Sequence, residues 1–220
     1  MATFYGNDIR NFIDGTSFRD VIYGFGGDDV LYGNDGHDDI FGGTHDDLMS
    51  GGFGSDLLSG GSGWDDLFGN AGFDDLFGGS GDDRLLGGSG DDNLVGGSGQ
   101  DMLTGGTGRD AFIFDFAAES QTGFFNRDVV TDFTADADVI DISGIDARSD
   151  GFSGNQAFSF GGRDTAFERR GEIRYQYVDT NGNGTNDATV ISGNTDGDLA
   201  AEFQIELSGL RNLDRIDFIL

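Results

Sequence analysis

Hydrophobic residues along the first half of this chain keep a strict phase. Counting in nines from Gly6, position eight is apolar in all 12 repeats: Ile13, Ile22, Leu31, Ile40, Met49, Leu58, Leu67, Leu76, Leu85, Leu94, Leu103 and Phe112. Position one is always Gly, from Gly6 to Gly105. Position six is Asn11, then Asp in every later repeat. Position four is Gly from Gly27 onward, with His45 the exception. A low-complexity Gly/Asp tract would not hold an apolar residue to one phase, so the period marks a repeat architecture filling residues 6–113. The first six residues of each repeat are expected to form a Gly-rich turn, where Gly tolerates positive φ. The last three form a short strand, with position eight pointing in and positions seven and nine pointing out. Two repeats make one coil of 18 residues, and 12 repeats make six coils. Stacked about 4.8 Å apart, these coils form a parallel β-roll.

Composition changes the picture. The chain of 220 residues holds 41 Asp+Glu against 12 Lys+Arg, for a net charge of −29, with 41 Gly, no Pro and no Cys. Such a chain reads as disordered on charge and glycine content alone, yet it also carries 21 Phe. Something outside the chain has to neutralise the carboxylates. Nucleic acid and anionic membrane surfaces have the wrong sign, which leaves a divalent cation or a basic partner. No stretch is apolar enough to span a membrane. Residues 1–8 lack the basic and apolar regions of a classical signal peptide. Without Cys there are no disulfides and no thiolate metal sites.

Stacking sets residue n beside residue n+18. One edge of the roll then carries Asp20, Asp38, Asp56, Asp74, Asp92 and Asp110; the other carries Asn11, Asp29, Asp47, Asp65, Asp83 and Asp101. Carboxylates so close cannot all stay ionised and unpaired. Ca²⁺, with tolerant geometry and about six to eight oxygen ligands, fits between them, whereas Mg²⁺ demands a tighter octahedron. Six loops per edge leave ten gaps in all. Asn11 lacks the charge, Phe18 and His45 replace the turn Gly, and Ile9 with Phe18 marks the first two repeats as a degenerate cap. The expectation is roughly six to nine ions, best held between Asp56 and Asp110.

The consensus G-G-x-G-x-D-x-U-x resembles the calcium-binding nonapeptide of the RTX (repeats-in-toxin) exoproteins. The resemblance implies ions held by the carbonyls of positions two and four with the Asp of position six. Carbonyls one, three and five of the loop one coil on complete the shell. Carried over by position, the implied ligands include Asp29, Asp38, Asp47, Asp56, Asp65, Asp74, Asp83, Asp92, Asp101 and Asp110. The implied carbonyl donors are Gly52, Gly54, Gly61, Gly63, Gly72, Gly79, Gly81, Gly88, Gly90, Gly97, Gly99, Gly106 and Gly108. The resemblance further implies a secreted, extracellular protein that leaves the cell through a type I secretion machinery and folds outside on Ca²⁺.

After residue 113 the period stops, so residues 1–113 are expected to form the roll and 114–220 a C-terminal, β-sandwich-like capping and secretion-signal domain. Strands are predicted over Ala111–Phe116, Asp128–Phe133, Asp138–Ser143, Glu172–Val178, Ala188–Ser192 and Phe203–Leu207. This half resembles the C-terminal domain of serralysin-type proteases and of related alginate epimerases. The resemblance rests on the strand after the last repeat, Asp128…Asp132-Phe133, Asp138…Ile140-Asp141-Ile142-Ser143, and the ending Asp217-Phe218-Ile219-Leu220. In the serralysins such a tail belongs to the uncleaved secretion signal.

No catalytic constellation stands out. A serralysin needs a zinc-binding H-E-x-x-H helix, and this chain has only His37 and His45, both read as exposed turn residues. The stretches Asp179–Gly184 and Asn194–Asp198 resemble calcium loops but lack the bidentate Glu, and each is read as a polar hairpin turn. The functional expectation is a non-catalytic exoprotein acting through its calcium-loaded surface. The alternative is the secretion and folding module of an extracellular enzyme (a protease, epimerase or lipase) whose catalytic part lies elsewhere. Outward position nine carries Tyr23, Phe41, Phe77, Val95 and Ile113 on one sheet and Tyr32, Phe68 and Leu86 on the other. These apolar stripes either stiffen the sheets or receive a partner or second copy.

Overall fold

The computed structural model describes residues 1–115, 119–122, 127–145, 158–163, 167, 171–195 and 200–220. Thirteen strands run through the repeats: β1 (Thr3–Asn7), β2 (Phe12–Asp14), β3 (Val21–Gly26), β4 (Val30–Asp35), β5 (Asp39–Thr44), β6 (Leu48–Phe53), β7 (Leu57–Ser62), β8 (Asp66–Ala71), β9 (Asp75–Ser80), β10 (Arg84–Ser89), β11 (Asn93–Ser98), β12 (Met102–Thr107) and β13 (Ala111–Ile113). Odd strands build one sheet and even strands the other. Within each sheet, neighbours are parallel in a register of 18 residues, as in Leu58↔Leu76 and Gly61↔Gly79. The chain therefore winds as the parallel β-roll that the nine-residue period predicts.

The reason is visible in the burial. Every position-eight side chain from Ile22 to Phe112 is fully buried, forming a single apolar column per sheet. The strands are longer than expected. They run six residues, from position seven through position three of the next repeat, so only positions four to six turn the corner. Glycine at positions one and two did not stop pairing, because the backbone ladder needs no side chain: Gly79 still lies opposite Gly97 and Ser80 opposite Ser98.

Beyond the repeats, β14 (Val129–Val130), β15 (Val139–Asp141), β16 (Ser159–Arg163), β17 (Glu172–Val178), β18 (Ala188–Asn194), β19 (Phe203–Ser208) and β20 (Phe218–Ile219) continue the same two sheets. β14 pairs in parallel with β12, and β15 with β13. β15 in turn receives β20, and β14 receives β19. Among the described residues only β17, β18 and β19 pair antiparallel. The strand predicted at Glu172–Val178 has those bounds, while β14 and β15 are shorter than their predicted stretches because both chains turn off within a few residues. Phe116, the predicted end of β13, lies outside the described residues, as do residues 196–198 of the second calcium-loop-like stretch. The first such stretch is the polar turn joining β17 to β18: Asp179 accepts from the backbone N–H groups of Gly182, Asn183 and Gly184. Phe133 closes the core of the roll, its ring 6.2 Å from that of Phe112.

Candidate metal centre

The two rows of aspartates lie at the corners of the roll. From Asp20 to Asp110 each is at most 3 % exposed. One carboxylate oxygen is structural: the backbone N–H of each Asp donates to Oδ1 of the Asp one coil on. The distances run from 2.6 Å at Asp20–Asp38 to 3.0 Å at Asp92–Asp110. The other oxygen is different. Oδ2 of Asp29, Asp38, Asp47, Asp56, Asp65, Asp74, Asp83, Asp92, Asp101 and Asp110 is buried with no hydrogen-bond partner. An unsatisfied buried carboxylate oxygen is costly, and native proteins rarely leave one. Here ten stand in two files.

The electrostatics say the same. Burial pushes the Asp47 and Asp74 carboxyls up to about 7, that of Asp83 to about 8, and those of Asp56, Asp65, Asp101 and Asp110 to about 6. Asp29, Asp38 and Asp92 are raised for the same reason. The ion pairs of the described residues use Asp39, Asp66, Glu206 and Glu172, not the ladder. No three acidic or histidine side chains among the described residues converge on one point. A cation at these corners therefore has to draw its remaining ligands from the backbone.

The loops supply that backbone. Glycines at position two, including Gly52, Gly61, Gly79, Gly88, Gly97 and Gly106, have φ of 99–118°. Those at position four, namely Gly54, Gly63, Gly72, Gly81, Gly90, Gly99 and Gly108, have φ of 127–148°. L-side chains rarely adopt these conformations. A Cβ on Gly79 would run into the carbonyl of Gly61, and one on Gly90 into that of Gly72. The carbonyls of positions two and four thus stand in files from coil to coil, and that of position one lies by the aspartates: a Cβ on Gly60 would meet both Asp65 Oδ2 and the Gly78 carbonyl. Carboxylate and carbonyl oxygens together are the donor set of a hard cation, so the residues present fit Ca²⁺.

Three residues that the spacing did not single out belong here. Asn70 holds position two of its loop at φ 78°, and its carbonyl occupies the place a Cβ on Gly88 would take. Asp128 and Asp138 extend the two rows past the repeats: Asp101 N–H donates to Asp128 Oδ1 at 2.9 Å, and Asp110 N–H to Asp138 Oδ1 at 3.0 Å. Asp128 is fully buried, its Oδ2 is also without a partner, and burial lifts its carboxyl to about 8. A signal existed, since Asp128 falls 27 residues after Asp101, three repeat lengths on. Asp138 closes its row instead, because Thr134 N–H satisfies its Oδ2 at 2.8 Å. At the opposite end, Asp20 is satisfied likewise by Thr16. Burial works against the Asp20 charge, but hydrogen bonds from Thr16 and from the Ala2 N–H leave its carboxyl below the usual range. His37 and His45 are exposed in the turns and hold neighbouring loops, His37 Nδ1 accepting from Ser55 N–H at 2.7 Å.

The family to which the repeats match agrees with this geometry. Residues 5–40, 41–76 and 77–112 match the RTX calcium-binding nonapeptide repeat, four copies to each match. A search of curated proteins gave no match. Among solved structures, the chain is similar to two subunits of the Azotobacter vinelandii mannuronan C5-epimerase. The solution structure of the AlgE6R3 subunit is 24 % identical, with a TM-score of 0.40 over 80 % of this chain and 78 % of that one. The AlgE6R2 subunit is 19 % identical, with a TM-score of 0.41 over 97 % and 92 %. With its period, its paired parallel sheets and its files of buried aspartates, this chain belongs to the RTX calcium-binding repeat family.

Proposed function

We propose that the chain is a secreted, non-catalytic calcium-folded roll: extended inside the cell, exported by a type I machinery through its C-terminal end, and folded outside where Ca²⁺ is millimolar. The observation that carries this reading is the ten repeat aspartates whose buried Oδ2 atoms have no partner. Unfolded, those carboxylates are solvated and harmless; folded without a cation, each is a desolvated charge. Binding free energy then becomes folding free energy. The ligands would be the Oδ2 atoms of the ladder aspartates, Asp128 included, with the loop carbonyls at positions two and four, in roughly six to nine sites. Residues 114–220 would act as the cap that ends the roll, and the folded surface as the interacting part. The test is a CaCl₂ titration of EGTA-stripped protein by far-UV circular dichroism, with MgCl₂ in parallel. A cooperative coil-to-β transition near millimolar Ca²⁺, absent with Mg²⁺, is expected. A spectrum already β-rich in EGTA and indifferent to Ca²⁺ would remove the switch.

A further inference from the structure

The two rows of aspartates leave the repeats differently. In each, the last repeat Asp donates its N–H to a residue outside the nonapeptide match of 5–112, Asp128 in one row and Asp138 in the other. Asp138 needs nothing more. Thr134 N–H satisfies its Oδ2 at 2.8 Å. Burial raises its carboxyl, and the nearby charge of Arg211 works the other way. Asp128 is fully buried, and its Oδ2 has no partner. Burial foremost pushes its carboxyl up, and the negative charges of Asp101 and Glu119 add to the push.

The ladder pattern changes at the same residue. From Asn11 to Asp83 each N–H of this row donates to the Oδ1 of an Asp one coil on. Asp128 N–H donates instead to Ser120 Oγ at 2.7 Å, and that hydroxyl donates to the Gln204 carbonyl at 2.6 Å. Gln204 N–H returns to the Ser120 carbonyl at 3.0 Å. Ser120 is thus fixed between β14 and β19 in the seat of the next aspartate, but it is neutral. The charge comes from the residue before it. Glu119 stands two repeat lengths after Asp101, at position six of the continued count. It is 9 % exposed, its Oε2 accepts from Asp115 N–H at 2.7 Å, and its charge acts on Asp101 and Asp128 alike. A buried carboxylate oxygen without a partner, beside a second buried carboxylate, is resolved by a hard divalent cation. We propose that Asp128 and Glu119 hold one further Ca²⁺ beyond the nonapeptides, while the Asp138 row ends in hydrogen bonds and takes none. The site rests on the reading of the ladder as calcium-binding. Two carboxylates leave the rest of the shell to backbone and water oxygens. The ion would join two points of the chain one repeat length apart, both outside the repeats, and so latch the segment leading out of the roll to its last coil.

Equilibrium dialysis of the full chain against radiolabelled Ca²⁺ counts the ions, with circular dichroism of the same samples to show that each variant is folded. Asp128→Asn keeps the Oδ1 that Asp101 N–H needs and removes the charge. It should bind one ion fewer than the unaltered chain. Glu119→Gln should lose the same single ion, and the double variant one rather than two. Asp138→Asn should lose none. A full count in either single variant, two ions lost from the double, or an equal loss from Asp138→Asn overturns the proposal. An unaltered chain that binds no Ca²⁺ would remove the reading of the ladder itself, and this site with it. Should Asp128→Asn fail to fold, Glu119→Gln decides, at the less buried of the two positions. Besides its ion count, hydrogen exchange at saturating Ca²⁺ should quicken on the order of tenfold in peptides covering 114–128 and stay unchanged in those covering the earlier repeats; unchanged exchange in 114–128 overturns the latch.

Discussion

A glycine at position two of a loop meets two demands at once, and they can be separated by substitution. Gly79 has φ 116° and the Gly61 carbonyl where a Cβ would go. Gly184 has φ 84° and open space. The left-handed backbone alone costs an alanine about 1–2 kcal/mol. Gly184→Ala should lose that much stability, and Gly79→Ala clearly more, as read from thermal midpoints in Ca²⁺. The aspartates divide in the same way. Asp83 is buried in the ladder, while its neighbour Asp82 is exposed and accepts from Gln100 N–H. Asp83→Asn should lower the bound calcium counted by equilibrium dialysis and raise the folding midpoint; Asp82→Asn, with the same loss of charge, should leave the count unchanged. Equal effects would mean that bulk charge, not the ladder, recruits the ion. Proton linkage has an unusual sign here. The carboxyls of Asp47, Asp56, Asp65, Asp74, Asp83, Asp101 and Asp110 rise on folding, from the ordinary Asp value to between about 6 and about 8, so the calcium-free fold binds more protons than the unfolded chain. Its stability therefore falls as pH climbs from about 4 to about 8. In EGTA, β structure should grow on acidification through that window, and Ca²⁺ affinity should fall over the same range.

Among the elements, the junction between repeat and non-repeat strands decides how the roll ends. Phe112 and Phe133 close the core, and β14 and β15 cover the edges of β12 and β13. Asp128 and Asp138 receive the last two ladder N–H groups. Deleting residues 114–220 should therefore raise the Ca²⁺ needed to fold 1–113, measured by circular dichroism; an unchanged midpoint would end the capping role. Phe133→Ala should cost about 3–5 kcal/mol, the usual range for a buried ring. The repeats were legible because each strand carries its own signal: Leu58 or Leu76 sits in phase with eleven other apolar residues. The later strands have no copies. Glu172–Val178 could be read from its alternation and Val129–Val130 within the longer stretch Asp128–Phe133, but Ser159–Arg163, with two glycines, had no pattern to show.

On the scale of the molecule, one buried apolar residue in nine makes a thin core, and the net charge of −29 opposes compaction. The fold gathers part of that surplus into two buried files of carboxylates at the corners of the roll. The sequence by itself determined the roll, its coil length and its rows of aspartates, because a nine-residue period with an apolar residue in one phase leaves only one way to bury that residue. Only the tertiary structure decided which carboxylate oxygens are left without partners and that Asp128 and Asp138 continue the rows. It also decided that the C-terminal strands join the same two sheets rather than a separate one. Those facts depend on contacts between residues 27 or more positions apart, such as Asp101 with Asp128 and Asp136 with Asp217. The first separation is three repeat lengths and so leaves a trace in the sequence; the second, with no repeat to tie the pair together, leaves none.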